Sequence, residues 1–179
     1  DERLLATIRH SKIKCLITVD SVSPNDVLFS VGVNQSITVA DLKITCKGKE
    51  DFGSLERKQF SIKSVGKKES QNLTMLSLKT YEESFAVTSD LNSIWSLLED
   101  IGQWHPSLSE LHPVLLYSRR EVNRCGLMYI LLNEIDRIRR DGEIHILRTS
   151  ADMLARSRTL LPTFEQYIFA HKCLATNAS

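Results

Sequence analysis

One stretch of the chain brings together residue types that could hold an anion. PVLLYS, RREVNR and CGLMYILLNEIDRI follow one another from Pro113 to Ile138 and read as strand, loop and helix. A loop joining a strand to a helix N-terminus turns backbone N–H groups and the positive end of the helix dipole toward one point, which makes a cradle for phosphate-like anions. Arg124 could clamp a phosphate through two parallel hydrogen bonds. A salt bridge that holds the loop together is the other reading of the same residue. Arg119 and Arg120 make either a recognition patch for an acidic partner or a solvated pair. Glu121 would bring negative charge toward a dianion. Ser118 offers a hydroxyl, but no neighbouring base is visible to activate it, so nucleophilic chemistry has no evident start.

The elements that must position this loop can be read from periodicity. Leu4, Leu5 and Ile8 fall at helical spacing, and Ile13 to Val19 (IKCLITV) is a continuous apolar, β-branched run expected of a strand buried on both faces. Pro24-Asn25-Asp26 marks a turn. Ser36 to Cys46, Lys58 to Val65 and Asn72 to Thr80 read as three strands, joined by the charged loops KGKED and GKKES. The period then changes. Leu91, Ile94, Trp95, Leu98 and Ile101 lie on one helical stripe capped at Thr88 or Ser89. His112 to Ser118 is a short buried strand. A long helix runs from Gly126 to Arg140, stopped at Asp141-Gly142, with arginines 137, 139 and 140 at its exposed end. Another covers about Ala151 to Arg158. A last helix starts at Thr163, whose spacing to Gln166 makes a capping box. Strands first and helices later predict an α/β or α+β domain with a mixed sheet. No repeat or linker divides residues 1–179, so they are read as a single domain.

These motifs resemble the protein tyrosine phosphatase family. The family signature, PVVVHCSAGVGRTG, lies without gaps over Pro113 to Gly126, PVLLYSRREVNRCG. DLKITC and the two later strands look like the family's central sheet, LKTYEESFAV falls at its mobile acid loop, and TFEQYIFAHKCL looks like its terminal Q-loop helix. The resemblance implies a phosphatase-like α/β fold, a central twisted mixed sheet flanked by helices. It also implies that the chain corresponds to the C-terminal two-thirds of that domain, since the family's N-terminal helices have no counterpart before Asp1.

The departures from the family pattern carry the functional reading. The nucleophilic cysteine falls on Ser118, and a serine hydroxyl cannot be ionised as a cradled thiol is. The preceding histidine becomes Tyr117. Two loop glycines, which allow unusual backbone angles and close approach to phosphate, become Glu121 and Asn123. The acid loop's Trp-Pro-Asp becomes Tyr81-Glu82-Glu83 and its glycine Phe85, so Glu83 is a carboxylate at the general-acid position. The first Q-loop glutamine falls on Pro162, while Gln166, Arg124 and Gly126 persist. With three catalytic parts altered together, the expected protein is not an enzyme. Three hypotheses follow: a catalytically inactive, regulatory interaction scaffold; a phosphotyrosine-binding trap that holds a phosphopeptide without hydrolysis; and a residual enzyme. Ser118 counts against the third, and Glu121 and Asn123 count against the second.

For the scaffold, the candidate contacts are Arg119, Arg120, Tyr81, Phe85 and the stretch from Trp104 to Leu111, with Trp104 read first as a packing residue. The expected partner is a protein, with a phosphoprotein or kinase-pathway component among the classes admitted. Composition narrows the rest. The 23 basic and 22 acidic residues leave a net charge near +1, giving no general pull toward nucleic acid or an anionic membrane. No apolar run reaches the roughly 20 residues that span a bilayer. Cys15, Cys46, Cys125 and Cys173 are widely spaced, without CxxC or histidines at ligand spacing, so neither a metal site nor a cofactor is expected. Buried reduced thiols and the lack of a visible signal segment fit a cytoplasmic setting, in which the sequons at Asn34, Asn72 and Asn177 carry no meaning.

Overall fold

The computed structural model describes residues 2–19, 27–53, 55–79, 94, 95, 99, 113–119 and 121–175. Six strands form one sheet: β1 (Cys15–Thr18), β2 (Ser36–Val39), β3 (Leu42–Asp51), β4 (Leu55–Ser64), β5 (Ser70–Leu78) and β6 (Val114–Tyr117). Their spatial order is β2-β3-β4-β5-β1-β6. The β2 to β5 pairs are antiparallel, whereas β1 lies parallel between β5 and β6. The helices described in full are α1 (Glu2–His10), the single turn α2 (Val27–Ser30), α3 (Val122–Asp141), α4 (Ile146–Arg156) and α5 (Phe164–Ala175). This is the mixed α/β architecture that the sequence predicts.

The alternation of β1 shows how both faces are filled. Cys15 and Ile17 point into a core shared with Leu127, Met128, Ile130 and Leu131 of α3 and with Phe169 of α5. Leu16 points into the opposite core, with Leu5 and Ile8 of α1 and with Phe60, Ile62, Leu73 and Met75 of β4 and β5. All four residues of β1 are buried, as its unbroken apolar run requires. Leu5 and Ile8 are the buried side of α1, as their helical spacing predicts. Ile94 and Trp95 are helical, with Ile94 buried and Trp95 packed against the α3 core, in agreement with the stripe read from sequence. The rest of that stripe and the turn at Pro24 lie outside the described residues.

Several boundaries differ from expectation, each for a local reason. Ser36 to Cys46 is not one strand but a hairpin, because Ala40 takes a left-handed conformation (φ 52°) and Val39 pairs with Leu42 across a two-residue turn. Alanine seldom signals such a turn. KGKED is not a loop. After a bulge between Cys46 and Gly48, β3 continues to Asp51, and its charges are matched across β4: Lys49 Nζ lies 2.6 Å from Glu56 Oε2, and Arg57 Nε donates to Glu50 Oε2 at 3.0 Å. The loop at GKKES is present, with Gly66 at φ 81°. The long helix starts at Val122, four residues before Gly126, and ends as expected where Gly142 (φ 71°) donates its N–H to Ile138 O. Arg139 and Arg140 are exposed at that end, but Arg137 is half-buried. α4 begins at Ile146, five residues earlier than its periodicity suggests.

The early start of α4 comes from α3. Glu134, fully buried, accepts the His145 N–H at 2.5 Å and the Arg137 Nη1–H at 3.0 Å, and is also hydrogen-bonded by the Thr149 hydroxyl. Arg137 Nη2 donates to Thr149 Oγ1 at 3.2 Å as well. A buried carboxylate thus takes up the N–H of His145, the residue that caps α4, and ties the two helices together. Its signal in the sequence is a carboxylate within the apolar run ILLNEI.

Candidate functional site

The loop that could hold an anion leaves the C-terminal end of β6. Thr18 pairs with Tyr117, and the Val19 N–H donates to Tyr117 O at 3.2 Å, so Ser118 emerges beside the end of β1. The loop then turns back within three residues. Ser118 Oγ accepts the backbone N–H of Glu121 at 3.0 Å. Glu121 is extended (φ −129°, ψ 94°) and forms the N-cap of α3. The Arg124 N–H donates to Glu121 O at 3.0 Å and tightens the first turn.

Of the residues expected to form the site, the structure brings together Ser118, Glu121 and Arg124. The Arg124 side chain is 3% exposed, and its Nε lies 3.7 Å from Glu121 Oε2. The Glu121 carboxylate is thus within ion-pair distance of the Arg124 guanidinium without accepting a hydrogen bond from its Nε, and Ser118 takes up the Glu121 N–H. Asn123, at the second former glycine position, has a buried Oδ1 without a hydrogen-bond partner. Arg119 is exposed at the rim. Arg120, the acid-loop residues Tyr81, Glu83 and Phe85, and Trp104 lie outside the described residues.

Gln166 caps a helix. It is fully buried at the start of α5, where its Oε1 accepts the Thr163 N–H at 3.0 Å and its own N–H donates to Thr163 Oγ1 at 3.2 Å. This reciprocal pair is the capping box that the sequence predicts.

Gly126, the last residue of the loop motif, has a steric reason to be glycine. A Cβ built there would lie 1.7 Å from the carbonyl oxygen of Leu160 and 2.9 Å from its carbonyl carbon. The first turns of α3 thus pass against the backbone that precedes α5, which fixes where the loop and Arg124 sit.

The four cysteines are buried and none is in a disulfide. Burial pushes the Cys15 thiol up to about 12 and that of Cys173 to about 11, so neither is a nucleophile near neutral pH. Among the described residues no group of three or more His, Cys, Asp or Glu side chains could hold a metal ion, and no helix is long and apolar enough to cross a membrane.

A parallel strand, a turn and a helix N-terminus carrying a buried arginine, on a mixed sheet with helices on both faces, define a phosphatase-type architecture. The family model of the protein-tyrosine phosphatase matches residues 10–176. The chain belongs to the protein-tyrosine phosphatase family. No curated protein matches it.

Proposed function

We propose that this domain is a catalytically inactive member of its family, a pseudophosphatase that works as a regulatory protein-interaction scaffold in the cytoplasm. The observation that carries the reading is the arrangement around residue 118. The nucleophile position holds a hydroxyl hydrogen-bonded by its own loop, and Glu121 sets its carboxylate 3.7 Å from the Arg124 guanidinium. A phosphate dianion entering the cradle would meet that carboxylate and would have to displace it from the arginine. The hydroxyl gains nothing from the cradle that would make it an alkoxide at neutral pH. The partner contacts proposed are Arg119, which is exposed, and Arg120, the Tyr81–Phe85 segment and Trp104, which lie outside the described residues.

The test is direct. The purified domain should not hydrolyse p-nitrophenyl phosphate or a phosphotyrosine peptide above the buffer rate, and Ser118→Cys alone should not restore turnover, because Tyr117, Glu121, Asn123 and Pro162 remain. Robust turnover by the single variant would overturn the proposal. Calorimetry with the same peptide should give a Kd no better than about 1 mM, worth roughly 4 kcal/mol. Micromolar binding that vanishes in Arg124→Ala would instead assign the site to phosphotyrosine capture.

A further inference from the structure

The degenerate loop is one end of the sheet. At the other end, where β1 begins, α1 and the β4–β5 turn enclose a cleft of about 500 Å³ lined by Arg9, Lys12, Lys14, Gln71, Asn72 and Glu69, among others. The parallel register from Cys15↔Val114 to Thr18↔Tyr117 places the entry to β1 and the loop after β6 at opposite ends of these strands. We infer that this cleft is a docking site for an acidic peptide segment of a protein partner, separate from the former active site.

Three observations carry the inference. First, positive charge is in excess: the cleft holds three cations and one carboxylate, and among the described residues none of the three cations is within ion-pair distance of a carboxylate. Lys67 and Lys68, both exposed, add charge on the adjoining turn. Second, the walls are fixed. Gln71 Nε2 donates to Ile8 O at 3.1 Å and to Ile13 O at 2.7 Å, and the Ile13 N–H donates to Ile8 O at 2.9 Å. The end of α1, the turn and β5 are thereby held as one frame, so little ordering remains to oppose binding. Third, Lys12 has φ 51°. Glycine occupies this left-handed region without steric cost and a lysine does not, so a long cation is held in the lining of the cleft by a backbone that favours another residue. The aliphatic stems of Arg9, Lys12 and Lys14 can cover peptide while their heads meet carboxylates. Nucleic acid fits less well, because no aromatic side chain lines the cleft to stack a base.

Anisotropy of a fluorescein-labelled hexaglutamate peptide, titrated with the whole chain, tests the inference. Saturable binding should weaken about threefold in Lys12→Gly and about tenfold in Lys14→Glu, and should fall as salt is raised. The melting temperature of Lys12→Gly should be unchanged or higher, which separates loss of the cation from loss of the fold. Absence of binding at 1 mM protein would overturn the inference, and so would affinity that neither variant changes. A hexathymidylate strand binding tenfold tighter than the peptide would also overturn it, in favour of a nucleic-acid surface. Charge reversal at Arg119 should leave this binding unchanged, so its outcome is independent of the reading of the phosphatase loop.

Discussion

Gly126→Ala is expected to destabilise the domain by at least about 3 kcal/mol, the upper end of the usual cost of overpacking. The added methyl would meet the Leu160 carbonyl oxygen at 1.7 Å. The obstacle is backbone, so no side-chain rotation relieves it: either α3 moves away from the segment before α5 or that segment moves. The helix start is flanked by buried Cys125, Leu127 and Met128, which oppose the first movement. Urea denaturation should show a lower midpoint, and the melting temperature should fall by roughly 6–12 °C for a chain of this size. Gly48→Ala is the control, because nothing lies within 4 Å of its would-be Cβ. That change should stay within about 0.5 kcal/mol. A Gly126→Ala loss below about 1 kcal/mol would show that the contact yields readily.

Glu134→Ala should cost about 3–5 kcal/mol, the range for removing one member of a buried ion pair. The substitution deletes the acceptor for the His145 N–H, the Thr149 hydroxyl and Arg137 at once. Arg137 would keep its bond to Thr149 Oγ1 and a long one to His145 O at 3.4 Å, but would lose its counter-charge. Glu134→Gln keeps the volume and turns an N–H₂ toward groups that are themselves donors, so it should still cost about 1.5–3 kcal/mol. A double-mutant cycle with Arg137→Ala separates the pair from the cap on α4. A coupling near zero, with Glu134→Ala costing under about 1 kcal/mol, would mean that water replaces the carboxylate and that α4 does not depend on it.

Both substitutions act on the frame that holds residues 118–124 rather than on the loop itself. The loop departs from the family signature in the groups it presents. In a phosphatase the frame serves a thiolate and open N–H groups; here the same position brings Ser118 onto the Glu121 N–H and the Glu121 carboxylate toward Arg124. That combination is the physical basis of the proposed loss of catalysis.

Much of this was legible in the sequence because it depends on local periodicity and short-range geometry. Within the run from Ile13 to Val19, the residues from Cys15 onward determined a strand buried on both faces, while Lys14 at its entry is exposed. Leu5 and Ile8 determined the inner side of α1, and Thr163 with Gln166 determined a reciprocal cap. Asp141-Gly142 determined where the long helix stops, since a left-handed residue there satisfies the carbonyl of Ile138. The serine at residue 118 offers no thiolate at the position where the family resemblance implies the nucleophile, which is the sequence basis of the proposed function.

What only the tertiary structure decided involves partners distant along the chain. Glu134 stands out in sequence only as a carboxylate within an apolar run, and its partners appear once α4 folds across it and supplies His145 and Thr149. KGKED reads as a solvated loop until β4 brings Glu56 and Arg57 opposite its charges. Gly126 reads as a relic of the loop motif until Leu160 is found against it. The cations of Arg9, Lys12 and Lys14 lie close together in sequence, yet they line a cleft with Gln71, about sixty residues later, which ties β5 to the end of α1. Side-chain type and spacing specify what each segment can do alone. Which charges are buried, matched or left open depends on the segments that packing places beside them.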